Sequence, residues 1–369
     1  MNIAPIIPTR TAPGTIRRRR KNLTMKTFLR TSCAGATTTR RRRAPFSERG
    51  RPLNDAPLVT IAIPTYNRAG SYLSETLASA LAQDYAPLEI LVSDNASTDG
   101  TEELVRRSMD RRLRYVRHGV NIGSTANYNF CLASARGDYF LLLHDDDAID
   151  RDFVAVCMAA AGYRRDAALI RTGIRLIERN GKVLRECANP VSGLSTADFF
   201  CAWFEGKTYW YCANTLFHAA LLRAAGGFSS PHRLSEDGFA IARLAHGKRI
   251  DVADVKASFR IHGGEQTFAA PQRAAQWGRE YRELLDCMCA ALPRDEVEKV
   301  RRAGLRFFAQ RCYDRASHAP DMIDRISNYA EVFRLFGCRY LPAPPRFWRR
   351  TTGYLRRRIL QQQRLASGE

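Results

Sequence analysis

A chain of 369 residues that is 45% hydrophobic and 26% charged can bury a core for about two domains, which excludes a wholly disordered protein. The net charge of +21 lies mainly at the ends: residues 1–51 hold 14 Lys and Arg against one acid, and residues 338–369 hold eight against one. The remainder carries about +1, which argues against a nucleic-acid-binding body. No stretch approaches the roughly 18 apolar residues that span a bilayer, which argues against a processive polymerase that exports its own chain.

Residues 1–54 are predicted to be a disordered basic tail. Arg17–Lys21 and Arg40–Arg43 are two runs of charge among Thr, Ala, Pro and Ser. No apolar segment follows the charges, so the pattern is not that of a secretory signal. With ten scattered cysteines, this predicts reduced thiols and a cytoplasmic location.

Residues 59–143 are predicted to alternate between strands and helices. Runs of β-branched and apolar residues indicate strands, and Leu73, Leu77 and Leu81 show the spacing of a helix. The predicted elements are strand 59–63, helix 71–83, strand 88–92, a helix that ends near 109, strand 114–117, helix 125–135 and strand 138–143. This succession predicts an α/β fold with a mostly parallel sheet flanked by helices.

The last of these strands ends in an acid cluster, Asp145, Asp146 and Asp147, directly after His144. Three neighbouring carboxylates repel one another unless a cation lies among them. The carboxyl edge of an α/β sheet is where ligands bind, and oxygen ligands suit Mg²⁺ or Mn²⁺. The sequence therefore predicts a divalent metal site, with a solvated acidic turn as the alternative.

Further elements follow towards the C-terminus. Residues 250–259 are predicted to form a strand that ends before Arg260 and His262, and residues 269–340 are predicted to form a helical extension. Residues 341–369 form a second basic tail whose charges alternate with aromatic and aliphatic residues. This pattern is typical of a helix on an anionic membrane surface, although a solvated helix or a partner contact would explain it too. We therefore expect a peripheral contact at the inner face of the membrane.

Four motifs resemble the nucleotide-sugar-binding half of the family 2 glycosyltransferases, which have the GT-A fold. They are Ile-Pro-Thr-Tyr-Asn-Arg (63–68), Ser-Asp-Asn-Ala-Ser-Thr-Asp-Gly-Thr (93–101), Asn-Ile-Gly (121–123) and Gly-Asp-Tyr-Phe-Leu-Leu-Leu-His-Asp-Asp-Asp (137–147). The resemblance implies a GT-A domain over residues 55–268. Its nucleotide-sugar half would be residues 55–150 and its acceptor half residues 151–268.

The resemblance also implies roles for single residues in donor binding. Nucleotide-sugar contacts would come from Pro64, Tyr66, Asn67, Asp94, Asn121, Asp145, Arg260 and His262. The position of Asp94 also supports this role, because an acid at a strand-to-helix turn suits ribose hydroxyls. The family pattern is Asp-x-Asp, and His144 occupies the first acid position if the segment Ile149-Asp150-Arg151-Asp152 sets the register. Asp146 is the favoured metal ligand with Asp147 as a second, but a shift of one residue would pair Asp145 with Asp147.

The acceptor half contains the predicted base. Ser235 precedes Glu236 and Asp237 in a segment that resembles the family's Glu-Asp pair, so Asp237 would be the catalytic base and Glu236 would position it or the acceptor. A helix cap is the alternative explanation. Trp210 and Tyr211 are candidate acceptor-binding rings, because sugars stack on aromatic faces, although a plain core role would also explain them.

The sequence thus predicts a metal-dependent, inverting glycosyltransferase. It would use a nucleotide diphosphate sugar donor and a glycan or lipid-linked acceptor in cell-surface polysaccharide biosynthesis, with no nucleic acid partner. One alternative is a nucleotidyltransferase of similar architecture, but residues 64–68 lack the Gly-rich loop that such an enzyme needs. The other is a non-enzymatic nucleic-acid-binding protein that uses the Arg-rich tails, which leaves the acid cluster unexplained.

Overall fold

A computed structural model of the protein describes residues 55–262, 274–319, 321–337 and 340. A nine-stranded sheet lies at its centre, in the order β3-β2-β1-β4-β8-β6-β9-β5, with β7 paired to β6. The strands are β1 (Val59–Thr65), β2 (Leu88–Asp94), β3 (Leu113–Arg117), β4 (Tyr139–Leu142), β5 (Ala148–Ile149), β6 (Leu169–Glu178), β7 (Val183–Cys187), β8 (Thr215–His218) and β9 (Arg249–Ile261). The helices are α1 (Leu73–Leu81), α2 (Thr101–Arg106), α3 (Ser124–Ser134), α4 (Phe153–Ala160), α5 (Thr196–Phe204), α6 (Ala219–Ala224), α7 (Glu236–Leu244), α8 (Ala274–Cys289), α9 (Arg294–Ser317) and α10 (Met322–Phe336).

The first half of the sheet is parallel, as the sequence predicts. Strand β1 pairs with β2 and β4, and β2 pairs with β3. Helices α1, α2 and α3 connect these strands, so their carboxyl ends meet at one edge, where Thr65 lies beside Asp94 and Asp94 beside Arg117. That edge therefore gathers the turns that carry the predicted donor-binding residues.

Gly137 lets β4 enter the sheet against β1. A Cβ at this position would lie 2.6 Å from the backbone nitrogen of Thr60 and 2.6 Å from the carbonyl oxygen of Tyr139. Both atoms belong to the backbone and cannot move aside, so only glycine fits here. Since β4 leads directly into the acid cluster, the position of that cluster depends on this close approach.

The second half of the sheet is mixed. Strand β8 runs antiparallel to β4 and β6, β7 runs antiparallel to β6, and β5 runs antiparallel to β9. Only β6 and β9 are parallel in this half. The predicted parallel order thus describes the half that contains β1–β4, and β9 returns its C-terminal end to the acid cluster through the pairing with β5.

The C-terminal helices share a hydrophobic core with the sheet. One cluster of buried side chains joins Phe140 and Phe217 of the sheet to Trp203 on α5, Trp277 on α8 and Phe308 on α9. A second cluster packs α1 and α4 against the strands. The predicted α/β fold with a C-terminal helical region is therefore confirmed.

The remaining predictions concern membrane spans, the basic tails and the domain boundaries. Within the described ranges, no helix is both long and apolar enough to cross a membrane. The predicted basic tails, residues 1–54 and 341–369, lie outside the described residues. The proposed domain boundaries stay predictions.

Candidate active site

Three side chains from the turn after β4 come close together. A ring nitrogen of His144 and carboxylate oxygens of Asp146 and Asp147 all lie within 4.8 Å of one another. The backbone N–H of Asp147 donates to the carbonyl oxygen of His144 at 3.1 Å, which closes the turn. Sequence reasoning counted only the acids as ligands, although His144 in the first acid position was the available signal.

Burial makes these carboxyls costly to ionise together. Burial and the charge of Asp146 raise the pKa of Asp145 to about 7 and raise the pKa of Asp147 well above its ordinary value. Burial also opposes ionisation of Asp146, but the hydrogen bond from His262 holds the pKa of Asp146 below its ordinary value. Burial lowers the pKa of His144 to about 3, so its ring is neutral at pH 7. A cation would stabilise the charged carboxylates, and a neutral imidazole can coordinate it.

The residues present fit a divalent cation. Nε2 of His144 and Oδ2 of Asp147 are buried and have no hydrogen-bond partner in the part of the chain that the structure describes. Buried polar atoms of this kind are uncommon, and both belong to the three-residue group. An imidazole with two carboxylates is a donor set for Mn²⁺ and similar ions, whereas carboxylates alone also suit Mg²⁺.

Asp145 is not one of the three residues in that group. Its Oδ1 lies 3.5 Å from Nε of Arg68, at the start of the turn after β1. This arrangement favours the register in which Asp146 and Asp147 are the metal ligands and Asp145 faces the donor. Both the metal role and the nucleotide-sugar role of Asp145 stay predictions.

Strand β9 ends beside the acid cluster and supports it with two residues. His262 Nε2 donates to Asp146 Oδ2 at 2.9 Å. Arg260 donates from its backbone N–H to Asp147 Oδ1 at 3.1 Å, from Nε to the Asp146 carbonyl at 2.9 Å, and from Nη2 to Glu75 Oε2 at 2.6 Å. These contacts hold the acid turn in place. The resemblance assigns both residues to nucleotide-sugar contacts, and that assignment stays a prediction.

Pro64 lies near the end of β1, and Tyr66 and Asn67 lie in the turn that follows it. Pro64 is buried, whereas Tyr66 is 45% exposed. Asn67 has φ 53°, a left-handed conformation that asparagine tolerates better than most residues. Its Oδ1 accepts from the N–H of Thr98 at 2.8 Å, and its own N–H donates to Ser97 Oγ at 2.8 Å. These hydrogen bonds link the turn after β1 to the turn after β2, and the ring of Tyr66 remains exposed beside them.

Asp94 ends β2 and is fully buried. Its Oδ1 accepts from the N–H of Ser97 at 2.8 Å, and its Oδ2 accepts from the hydroxyl of Tyr115 at 2.5 Å. Asn121 is exposed, and its Oδ1 accepts from Asn95 Nδ2 at 2.9 Å. A ribose or base contact from Asp94 would share oxygens that already bind protein donors. The nucleotide roles of Asp94 and Asn121 stay predictions.

Helix α7 begins with the two acids predicted to act in catalysis. Glu236 and Asp237 are each 1% exposed. Glu236 Oε1 accepts from Thr125 Oγ1 at 2.6 Å, and burial raises the pKa of Asp237 to about 6. A pKa near the working pH suits a general base. The alternative, a helix cap, is supported by Asp237, whose Oδ1 accepts from the N–H of Gly238 in the first turn at 2.8 Å, but not by Ser235, whose side chain makes no hydrogen bond to α7.

Helix α3 connects the two groups of acids. Thr125 bonds to Glu236, and the ring centroid of Tyr128 lies 5.4 Å from that of His144. Through these two contacts α3 lies beside both groups, and burial raises the pKa of Tyr128. Sequence reasoning missed Tyr128, because a single tyrosine in a helix shows no distinguishing pattern.

The two candidate acceptor rings lie in the core. Trp210 is 1% exposed and stacks on Trp203, with centroids 4.2 Å apart. Tyr211 is 0% exposed and stacks on Phe259, with centroids 4.6 Å apart. Neither ring offers a face to solvent in this conformation, so an acceptor contact would require movement. Their acceptor role stays a prediction.

Residues 60–223 match the model of glycosyl transferase family 2. Abequosyltransferase RfbV of Salmonella typhimurium strain LT2 is 38% identical over 129 residues, which cover 33% of this chain and 38% of that protein. The GalNAc(5)-diNAcBac-PP-undecaprenol beta-1,3-glucosyltransferase of Campylobacter jejuni is 30% identical over 162 residues, which cover 42% of this chain and 50% of that protein. The chain thus spans half or less of the length of these two relatives.

The similarity of fold extends over more of the chain. The crystal structure of S. aureus TarS 1–349 matches with a TM-score of 0.57 at 17% identity, over 76% of this chain and 81% of that one. A likeness at this identity concerns the fold alone. The GT-A architecture that the resemblance implies is thereby confirmed.

Proposed function

Residues 60–223 belong to glycosyltransferase family 2, and from this premise we propose that the protein is an inverting glycosyltransferase that uses a nucleotide diphosphate sugar. One observation carries the proposal beyond the family resemblance. Helix α3 contacts both groups of acids: Thr125 Oγ1 donates to Glu236 Oε1 at 2.6 Å, and the ring of Tyr128 lies 5.4 Å from that of His144, in the turn that carries the acid cluster. A charged donor needs the first group, and a hydroxyl acceptor needs the second.

Asp237 is the base in the proposed reaction. It removes the proton of the acceptor hydroxyl while the oxygen attacks the anomeric carbon, and the bond from that carbon to the diphosphate oxygen breaks. A single displacement from the opposite face inverts the anomeric configuration. The pKa of Asp237, raised to about 6, makes its carboxylate more basic than an exposed acid, yet the carboxylate is still mostly ionised at neutral pH.

Glu236 is proposed to orient the acceptor. Thr125 fixes its Oε1, whereas its Oε2 is buried with no hydrogen-bond partner among the described residues. A free acceptor oxygen next to the base is suited to receive a hydrogen bond from a sugar hydroxyl. This contact would present the reacting hydroxyl to Asp237.

Asp146 and Asp147, with His144, are proposed to hold a divalent cation, Mg²⁺ or Mn²⁺. When bound, the cation would neutralise the charge on the departing diphosphate. His262 and Arg260 keep the ligating turn in place through their hydrogen bonds to both acids. The neutral ring of His144 makes Mn²⁺ the better match of the two ions.

We extend the proposal to cell-surface polysaccharide biosynthesis. One relative is named for abequosyl transfer, and another is named for a substrate linked to undecaprenol diphosphate. These names support a glycan or lipid-linked acceptor here. Such an acceptor would bring the enzyme to the inner face of the membrane.

A peripheral membrane contact is the corresponding proposal for the C-terminal end. Ile323, Ile326 and Phe333 on α10 are 79%, 56% and 44% exposed, and their spacing places them on one face of the helix. The basic residues 341–369 follow this helix in the sequence. Flotation with phosphatidylglycerol vesicles tests the contact: Ile323→Glu with Phe333→Glu should reduce binding, whereas Met109→Glu, at an exposed apolar residue of another surface, should not.

Calorimetry tests the proposed donor site. The protein should bind one of UDP, GDP, CDP and dTDP, and it should do so only with Mn²⁺ or Mg²⁺. Asp146→Asn should weaken that binding at least about tenfold, because it removes a ligand charge. Asp166→Asn serves as the matched control, since Asp166 is an exposed acid paired with Lys248.

Other outcomes would redirect the assignment. Binding of nucleoside triphosphates in preference to all four diphosphates would favour the nucleotidyltransferase alternative. No nucleotide binding by a folded protein would contradict the proposal. The nucleic-acid alternative then becomes testable by deletion of residues 1–51, which should abolish binding to DNA if the tail is the binding element.

A further inference from the structure

Glu280, on helix α8, is a buried carboxylate that the proposed reaction does not use. Its side chain is 0% exposed, and it accepts four hydrogen bonds from residues 225–235, which form the loop between α6 and α7. Its Oε2 accepts from the N–H of His232 at 2.9 Å. Its Oε1 accepts from the N–H of Leu234 at 3.2 Å, the N–H of Ser235 at 3.0 Å and the hydroxyl of Ser235 at 2.9 Å. One side chain from the helical extension therefore binds three backbone N–H groups and one hydroxyl of this loop.

This loop determines where α7 begins. Ser235 is the N-cap residue of α7, and its hydroxyl donates to Glu280 instead of capping its own helix. The next two residues are Glu236 and Asp237. A shift of the loop would therefore move both acids with it.

The rest of the structure makes Glu280 a rigid support. Its neighbours Trp277, Tyr281 and Leu284 on α8 are buried in the core that the sheet shares with the C-terminal helices. Arg243 of α7 donates to Ser229 Oγ at 2.9 Å and so holds the beginning of the same loop. The loop is thus fixed at one end by its own helix and at the other by α8.

We propose that Glu280 is a positioning residue for glycosyl transfer, and that the helical extension contributes to the active site through it. Its carboxylate sets the backbone before α7 so that Asp237 meets the acceptor hydroxyl. This inference rests on the proposed function, because it acts through Asp237. Displacement of a catalytic group by about 1 Å can cost roughly a hundredfold in rate, so loss of this support should lower turnover.

The test uses the full chain and three variants. Glu280→Gln keeps the size of the side chain but replaces one accepting oxygen with an NH₂ group, which then faces a backbone N–H. Asp286→Asn is the matched control, an acid-to-amide change at an exposed residue of the same helix. Ser235→Ala removes only the hydroxyl bond to Glu280, and it replaces Glu280→Gln in the test if that variant fails to fold.

Two measurements are made on each variant. Hydrogen exchange of the peptide that covers residues 230–240 reports the loop itself. Release of nucleoside diphosphate from UDP-glucose, GDP-mannose, CDP-glucose and dTDP-glucose reports turnover, and calorimetry reports the Kd of the matching diphosphate. We expect Glu280→Gln to speed exchange in this peptide and to lower kcat about ten- to a hundredfold. The Kd of the diphosphate should stay within about twofold, and Asp286→Asn should leave all three readouts unchanged.

A double-mutant cycle separates positioning from a general loss of structure. If Glu280 acts through Asp237, Glu280→Gln should lower turnover less than about twofold when Asp237→Asn is already present. Faster exchange with unchanged kcat would overturn the inference, as would a full additional loss in the double variant. A wild-type protein that turns over none of the four sugars, or an Asp237→Asn variant with full turnover, would instead defeat the proposed function and the inference with it.

Discussion

The imidazole of His262 donates a hydrogen bond to the carboxylate of Asp146 at 2.9 Å, across 116 positions of sequence. The bond joins the end of β9 to the turn after β4, because β9 pairs with β5 directly beyond the acid cluster. It is also the main reason why the pKa of Asp146 stays low despite burial. A ligating carboxylate that is held in this way loses little freedom when a cation binds.

Substitution of His262 should therefore weaken metal binding without removing a ligand. We expect His262→Ala to raise the Kd for Mn²⁺ about tenfold, because loss of an outer partner of a metal ligand has effects of about 10- to 100-fold. Calorimetry with Mn²⁺ measures the change. His318→Ala, at an exposed histidine at the end of α9, is the control. An unchanged Kd in His262→Ala would show that Asp146 needs no support from β9.

His144 should set the preference for metal. Its neutral ring supplies nitrogen, which suits Mn²⁺ better than Mg²⁺. His144→Asp restores the acid of the Asp-x-Asp pattern. We therefore expect the Kd of the bound nucleoside diphosphate in Mg²⁺, divided by its Kd in Mn²⁺, to fall about tenfold. Titrations of UDP, GDP, CDP and dTDP in each metal measure this ratio. A ratio that does not move would place His144 outside the metal site.

The parallel half of the fold was predictable because its signals are local. The predicted strands 59–63 and 88–92 fall within β1 and β2, whose residues are all buried. Strand β6 was missed, because Arg171 and Arg175 interrupt its apolar pattern. Arg171 is nevertheless buried, and its Nη1 lies 3.5 Å from Asp251. That partner is 80 positions away, so only the folded structure reveals why a buried strand tolerates the charge.

The same distinction applies to the candidate site. The acid cluster and the Glu236–Asp237 pair each form a short motif, and the sequence therefore indicates them. Tyr128 and Glu280 show no such motif, because their importance comes from residues that the fold brings next to them. Trp210 and Tyr211 illustrate the reverse case, in which an aromatic cluster is equally consistent with a binding surface and with a core.

Asp237 should impose a pH limit on turnover. A base acts only when deprotonated, so its activity is lost as the pH falls through its pKa of about 6. We expect log(kcat/KM) to rise with unit slope below about pH 6 and to level off above it. Release of nucleoside diphosphate across pH 4.5–8.5 gives the profile.

The variants of the same experiment identify the group that titrates. Asp237→Asn should lower kcat by about a hundredfold or more and should remove the acidic limb. Asp166→Asn should keep it. A limb that persists in a residually active Asp237→Asn variant would assign the titration to another residue.

Asp237 should also reduce stability at neutral pH, and this prediction needs no substrate. Its folded-state pKa of about 6 is above the ordinary value of 3.8, so the folded protein binds this proton more tightly than the unfolded chain does. Any stabilisation from that proton is complete below about pH 4 and is lost as the pH rises through 6. At pH 7.5 the buried charge therefore opposes folding by up to about 3 kcal/mol, from a difference of about two pKa units.

Asp237→Asn removes that charge but keeps an oxygen that can accept from the N–H of Gly238, as Oδ1 does at 2.8 Å in the folded protein. We therefore expect this variant to raise the free energy of unfolding at pH 7.5 while it lowers kcat about a hundredfold or more, and to gain less stability at pH 5. Urea unfolding at both pH values measures the difference. The exposed control Asp166→Asn should not stabilise the protein at either pH, because Lys248 loses its partner there. A loss of stability in Asp237→Asn at pH 7.5 would mean that the carboxylate is held by favourable contacts, and that its role is structural before it is catalytic.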